Sequence, residues 1–193
     1  MARKLGTLLA IGAAVTFLTT ADARAQAFLS PFIGYNFGGD AGCPNLTGCQ
    51  NKNLNLGVGF GSLGNAAGFE QEFAYAKNFF GTAPALGNSS VLTLMSNVMI
   101  APKIGPVRPY VLGGLGLMKS HIELTAGNIF TSDNNNFAWD VGGGLMVLFG
   151  DHVGVRGDLR FFHAFQNLNL GVITLSSPKL DFGRASAGLV LKF

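Results

Sequence analysis

The stretch GVRGDLRFF, residues 154–162, constrains the fold more than any other part of the sequence. Side chains of an extended strand alternate between two faces. Written that way, Arg156, Asp158 and Arg160 share one face, while Val155, Gly157, Leu159 and Phe161 share the other. Such a strand needs water or ionic partners on one side and apolar surroundings on the other. In a soluble protein the charged side would be wet. In a membrane barrel it would point inward, and the rest of the chain has to decide between the two.

Period-2 runs recur along the sequence. AFLSPFIGYNF (27–37) places Leu29, Ile33, Tyr35 and Phe37 in phase, and NLNLGVGF (53–60) sets Leu54, Leu56, Val58 and Phe60 against Asn53, Asn55, Gly57 and Gly59. AAGFEQEFAYAKNFF (66–80) sets Phe69, Phe73, Tyr75 and Phe79 against Glu70, Glu72, Ala74 and Ala76. VLTLMSNVMI (91–100) and VRPYVLGGLGLM (107–118) are strand-like, but both faces are largely apolar and their phase stays open. NFAWDVGGGLMVLF (136–149) sets Phe137, Trp139, Val141, Leu145, Val147 and Phe149 against Ala138, Asp140, Gly142, Gly144 and Met146. The opening stretch and LDFGRASAGLVLKF (180–193) complete eight runs.

The gaps between runs alternate. GSLGN (61–65), PKIGP (102–106) and GDH (150–152) are short, glycine-bearing turns. A Gly/Cys/Asn-rich segment, TAPALGN (82–88), HIELTAGNIFTSDNNN (121–136) and residues 166–178 are predicted loops, the third of them the longest. Short turns at one end and longer loops at the other describe a transmembrane barrel. Regularly spaced alternating strands also suit a soluble sandwich, so composition is needed. Charged residues are 12% of the chain, about half the roughly 25% of soluble domains. That is too few for a wet exterior. The apolar faces carry aromatics toward their ends (Tyr35, Phe37, Phe60, Phe69, Phe79, Phe137, Trp139, Phe149, Phe193), as an interfacial girdle does. No stretch reaches the roughly 20 apolar residues of a transmembrane helix.

The N-terminus reads as an export signal. Arg3 and Lys4 precede the apolar segment Leu5 to Leu18, and small-x-small sites follow at Ala21–Ala23, Ala23–Ala25 and Ala25–Ala27. Cleavage is expected after Ala25, giving a signal peptide over 1–25 and a barrel domain over 26–193. The remaining 168 residues hold 10 basic and 9 acidic side chains. A net charge of +1 leaves no basis for nucleic-acid binding. Cys43 and Cys49, in DAGCPNLTGCQ, are an even pair in an exported chain and are expected to form a disulfide closing a small loop. Two thiolates without a neighbouring His or carboxylate pair supply too few ligands for a metal.

The last segment, GLVLKF, resembles the C-terminal signal by which outer-membrane barrels are taken up by their assembly machinery, with Leu189, Leu191 and Phe193 in phase. Together with FIGYNFGG, GFEQEFAY, RPYVLGGLGLM and GVRGDLRFF, the whole mature chain resembles the small outer-membrane protein β-barrel domain family, eight-stranded barrels of the OmpA and OmpX type. The resemblance implies an all-β, eight-stranded antiparallel transmembrane barrel in the cell outer membrane, set among its lipid and lipopolysaccharide. On that reading Arg156, Asp158 and Arg160 face the lumen, and Leu159 and Phe161 face lipid. The interior charges become Glu70, Glu72, Asp140 and Asp158 against Arg156, Arg160, Arg184 and Lys192. An eight-stranded barrel is only just wide enough for its own side chains. The expectation is therefore a closed, salt-bridged lumen. The alternative is an ion path gated by switching Arg–Glu pairs, that is, a narrow porin.

Catalysis has one candidate. His163, in LRFFHAFQN, resembles the histidine of lipid A deacylase barrels, which is followed two residues later by a nucleophilic serine. Position 165 here is Phe165, so no hydroxyl is available for the imidazole to activate. His121 and His152 fall in a predicted loop and a turn. GVGFGSLG and VLGGLGL lack the following helix that a phosphate loop needs, and their glycines suit close packing in a narrow barrel. NLT (45–47) and NSS (88–90) match glycosylation sequons, which a bacterial context makes accidental. The sequence thus predicts a non-enzymatic, cofactor-free, monomeric barrel. Its role is structural, or lies in recognising an extracellular ligand through its loops. A lipid A-modifying enzyme is the second alternative.

Overall fold

Eight antiparallel strands pair in chain order, and the eighth returns to the first to close a barrel. The computed structural model describes residues 25–42, 53–81, 86–124, 130–165 and 180–193. The strands are β1 (Gln26–Phe37), β2 (Leu54–Leu63), β3 (Ala67–Lys77), β4 (Leu86–Ile100), β5 (Val107–Leu124), β6 (Phe130–Phe149), β7 (Val153–Ala164) and β8 (Asp181–Lys192). Closure pairs Phe28 with Lys192 and Phe37 with Gly183 along the β1–β8 seam. A closed barrel has no open edge, so its backbone groups pair within the wall, as a hydrocarbon environment requires. Residues 1–24 of the expected signal peptide and both cysteines lie outside the described residues.

Burial follows the alternation, with polarity inverted relative to a soluble protein. Leu56, Val98, Leu115, Leu159 and Leu189 are exposed on the outer face, each by half or more. Glu70, Asn97, Asp140, Arg160 and Arg184 are buried inside. A continuous apolar exterior of this kind is stable only against lipid. The two strands of open phase are resolved. Val91, Thr93, Met95, Asn97 and Met99 point inward from β4, as do Arg108, Tyr110, Leu112 and Met118 from β5.

The short turns share one end of the barrel with Gln26 and Phe193, and the longer connections share the other. At the turn end Arg108 straps two turns together. Its Nη2 donates to the carbonyls of Gly64 and Asn65, and its Nε to that of Ala101 at 2.7 Å.

Three expectations change. The stretch 121–136, predicted as the longest loop, is mostly strand: β5 runs to Leu124 and β6 starts at Phe130, with His121 paired to Asp133. Likewise β4 begins at Leu86, inside the predicted 82–88 loop. A span needs about 9–11 residues, whereas β5 has 18 and β6 has 20. Their distal part therefore projects beyond the membrane, where nothing imposes apolar alternation and the backbone ladder continues. Phe79 is the third change. The alternation places it in the outward girdle, but β3 ends at Lys77, Asn78 turns with φ 56°, and Phe79 folds inside with no exposed surface.

Candidate functional site

The inward charges of β3, β6, β7 and β8 meet at mid-barrel. Arg156 and Arg160 project from β7 on either side of Asp158 because the strand period places all three on one face. Arg156 Nη1 donates to Glu70 Oε2, and its Nη2 donates to Asp158 Oδ2 at 2.9 Å. Arg160 reaches four carboxylates. Its Nη2 donates to Glu70 Oε1 at 2.8 Å and its Nε to Asp158 Oδ1 at 3.2 Å. Its Nη1 lies 2.8 Å from Glu72 Oε2 and 3.6 Å from Asp140 Oδ2. Arg184 Nη2 donates to Glu72 Oε1, with its guanidinium 4.9 Å from the Phe32 ring and 4.7 Å from that of Phe162.

Three neutral side chains complete the cluster. Tyr110 Oη donates to Asp158 Oδ2 at 2.7 Å and accepts from Arg156 Nη2 at 2.9 Å. Ser186 Oγ donates to Asp158 Oδ1 at 2.9 Å. With its amide nitrogen turned toward Asp140, Asn97 donates to Asp140 Oδ1 at 2.7 Å and accepts from Arg160 Nη1 at 3.1 Å. Tyr110 and Asn97 were missed because they lie on the two strands whose phase the sequence left open. Glycine makes room for the cluster. A Cβ at Gly144 would stand 2.6 Å from Tyr110 Oη, and one at Gly59 would stand 2.9 Å from Glu70 Oε2.

Lys192 does not join this cluster. It points inward, but from the last residue of β8 at the turn end, among Lys103, Arg108 and Asp151. Period 2 correctly gives the face but says nothing of the height along the barrel axis.

Apolar side chains fill the barrel on both sides of the charges. Toward the loops Phe79, Val91, Met95, Met118, Phe162 and Phe182 form one plug. Toward the turns Phe28, Leu63, Met99, Met146, Leu148 and Val190 form another. Between the loop-side plug and the ion cluster, Asn36, Asn55, Thr93 and Arg184 border a small cavity with room for about one water molecule. Asn55 Oδ1, Thr93 Oγ1 and Arg184 Nε lack a protein partner, a mix of donor and acceptor that suits a water molecule.

At the loop end His163 faces outward, its Nδ1 2.5 Å from Asp181 Oδ1 across the β7–β8 ladder. The imidazole lies 5.4 Å from the Trp139 ring, and Trp139 in turn lies 5.9 Å from Phe161. Phe165 makes an edge contact with His163. Asp40, in the loop after β1, accepts the Asp181 backbone N–H at 2.9 Å. Burial pushes the Asp40 carboxyl up from its ordinary value, with that N–H acting in the opposite sense. Among the described residues no group of three or more His, Cys, Asp or Glu side chains could hold a metal ion.

Comparison with known proteins agrees with this geometry. The family model described as outer membrane protein beta-barrel domain matches residues 10–193. Neisserial surface protein A superposes with a TM-score of 0.60 at 15% identity, covering 86% of this chain and 97% of that one. A major outer membrane protein of Thermus thermophilus gives 0.63 at 12% identity, over 88% and 100%. Ail, the attachment invasion locus protein of Yersinia pestis, solved with the heparin analogue sucrose octasulfate, gives 0.53 at 15% identity, over 88% and 99%. Identities this low speak to the fold alone. No curated protein matches the sequence.

Proposed function

The chain belongs to the outer membrane protein β-barrel domain family, and from that premise we propose a closed, salt-bridged barrel whose role is structural or rests on interactions made by its loop end. The observation that carries this reading is the filled interior. An ion cluster in which Arg160, Glu70, Glu72 and Asp140 are all buried sits between two apolar plugs, so the barrel axis offers no continuous polar path. The projecting β5–β6 hairpin supports the loop-end role, because it extends the wall beyond what a span requires. The partners on this reading are outer-membrane lipid and lipopolysaccharide around the wall, the barrel assembly machinery during insertion, and an extracellular ligand at the loops. The protein acts as a monomer. His163 serves as an interfacial side chain packed on Trp139, since the residue two positions on is Phe165.

Single-channel recording and liposome swelling with the refolded protein test the reading. No steady conductance and no solute flux are expected. A steady conductance would replace the closed barrel by a narrow porin. Mass spectrometry of lipid A from cells with and without the protein is expected to show no difference, and a modified lipid A species would make the barrel an enzyme.

A further inference from the structure

Removing Lys192 from the lumen network leaves its charges unequal. Three guanidiniums, Arg156, Arg160 and Arg184, face four carboxyl groups, Glu70, Glu72, Asp140 and Asp158, and no other cation of the described residues lies within ion-pair distance of these four. Fully ionised, the cluster would carry one uncompensated negative charge in a space closed by apolar plugs on both sides. A buried, uncompensated charge is the costliest state available to such a group.

The geometry shows where the excess falls. Both oxygens of Glu70 and both of Glu72 lie against Arg nitrogens, and both oxygens of Asp158 accept hydrogen bonds. Asp140 differs. Its Oδ1 takes only the neutral Asn97 amide, and its Oδ2 stands 3.6 Å from Arg160 Nη1, which is beyond a good hydrogen bond and already engaged with Glu72. The groups that face Asp140 are Glu70 and Glu72 from β3, Asn97 from β4, Arg160 from β7 and Arg184 from β8; β5 presents Gly114 opposite it, with no side chain.

We propose that the buried cluster is a proton-binding site, with one proton held at neutral pH on the Asp140 carboxyl. The proton brings the cluster to neutrality, with three positive groups against three carboxylates and one carboxylic acid. This rests on the closed-lumen reading, because an open, wet lumen would supply mobile counter-ions instead.

Infrared spectroscopy of the refolded full chain in detergent at neutral pH tests the proposal. A carboxylic-acid C=O band that shifts in D2O is expected in the wild type. It should persist in Asp40→Asn and in the exposed-turn control Asp151→Asn, and disappear in Asp140→Asn. Asp140→Asn should keep the denaturation midpoint of the wild type or raise it, whereas Asp158→Asn should lower it. Absence of the acid band in the wild type overturns the proposal, as does its persistence in Asp140→Asn. A melting temperature that rises with sodium or potassium concentration, with no acid band, would assign the site to a monovalent cation and also overturn it. The infrared result on the wild type needs no variant to fold. Conductance measurements report separately on whether the lumen is closed.

Discussion

Arg156 exchanges ionic or hydrogen-bonding contacts with Glu70, Asp158 and Tyr110 while buried between β3, β5 and β7. Its removal leaves Arg160 as the one guanidinium shared by Glu70 and Asp158 and takes a positive charge from a buried cluster that already holds more carboxyl groups than guanidiniums. Arg156→Ala is therefore expected to cost about 3–5 kcal/mol in reversible unfolding in detergent or lipid. In a wet lumen the loss would fall to about 0–1 kcal/mol, so the measurement also reports on hydration. At this scale the sequence was legible wherever charge and apolar residues alternate. Glu70, Glu72, Asp140, Arg156, Asp158, Arg160 and Arg184 could each be assigned a face from period 2 alone. Tyr110 and Asn97 could not, because their strands are apolar on both sides: valine and leucine stand on the lumen face at Val91 and Leu112 and on the outer wall at Val98 and Leu115. Lys192 shows the complementary gap, since height along the axis depends on register, which comes from pairing with β1 and β7.

Among the elements, β7 is a test of orientation. Leu159 is well exposed on the outer face, and its neighbour Arg160 is buried inside. Leu159→Arg should destabilise the barrel by about 2–4 kcal/mol in a bilayer, and Leu159→Phe should leave the unfolding midpoint unchanged. Equal effects of the two substitutions would contradict a lipid-facing position. The β5–β6 hairpin makes the opposite prediction. Replacing residues 123–131 by Asn-Gly would join the paired residues Ile122 and Ser132 through a two-residue turn. Heat-modifiable migration on gels should show a barrel that still folds and melts as before, because this part of the ladder lies beyond the span. Its strand character was hidden in the sequence because Gly127 and the run of polar residues in HIELTAGNIFTSDNNN read as a loop, and only backbone pairing reveals it. Phe79 was hidden for a local reason. One left-handed residue, Asn78, ended the alternation and moved the ring from wall to interior.

At the scale of the whole molecule, strand order and closure were the most legible features, because the alternating gap lengths leave few other ways to connect eight strands. Assembly is the matching prediction. Phe193 is exposed and in phase with Leu189, and its backbone N–H donates to the Ala27 carbonyl at the seam. Deleting Phe193 is expected to slow insertion and leave precursor in the periplasm, which fractionation of pulse-labelled cells would show; unchanged outer-membrane levels would count against an assembly signal. The two plugs have a chemical consequence of their own. Met95, Met99, Met118 and Met146 all lie inside the barrel with no exposed surface. Thioether oxidation requires that an oxidant reach the sulfur, and the sulfoxide it leaves is polar enough to disrupt an apolar contact. Mass spectrometry after mild peroxide treatment of the folded protein should find these four sulfurs unmodified, and the unfolded chain should take up oxygen at each. The methionines thus act as internal dosimeters, whose sulfoxide content records how often the sealed interior opens to the medium.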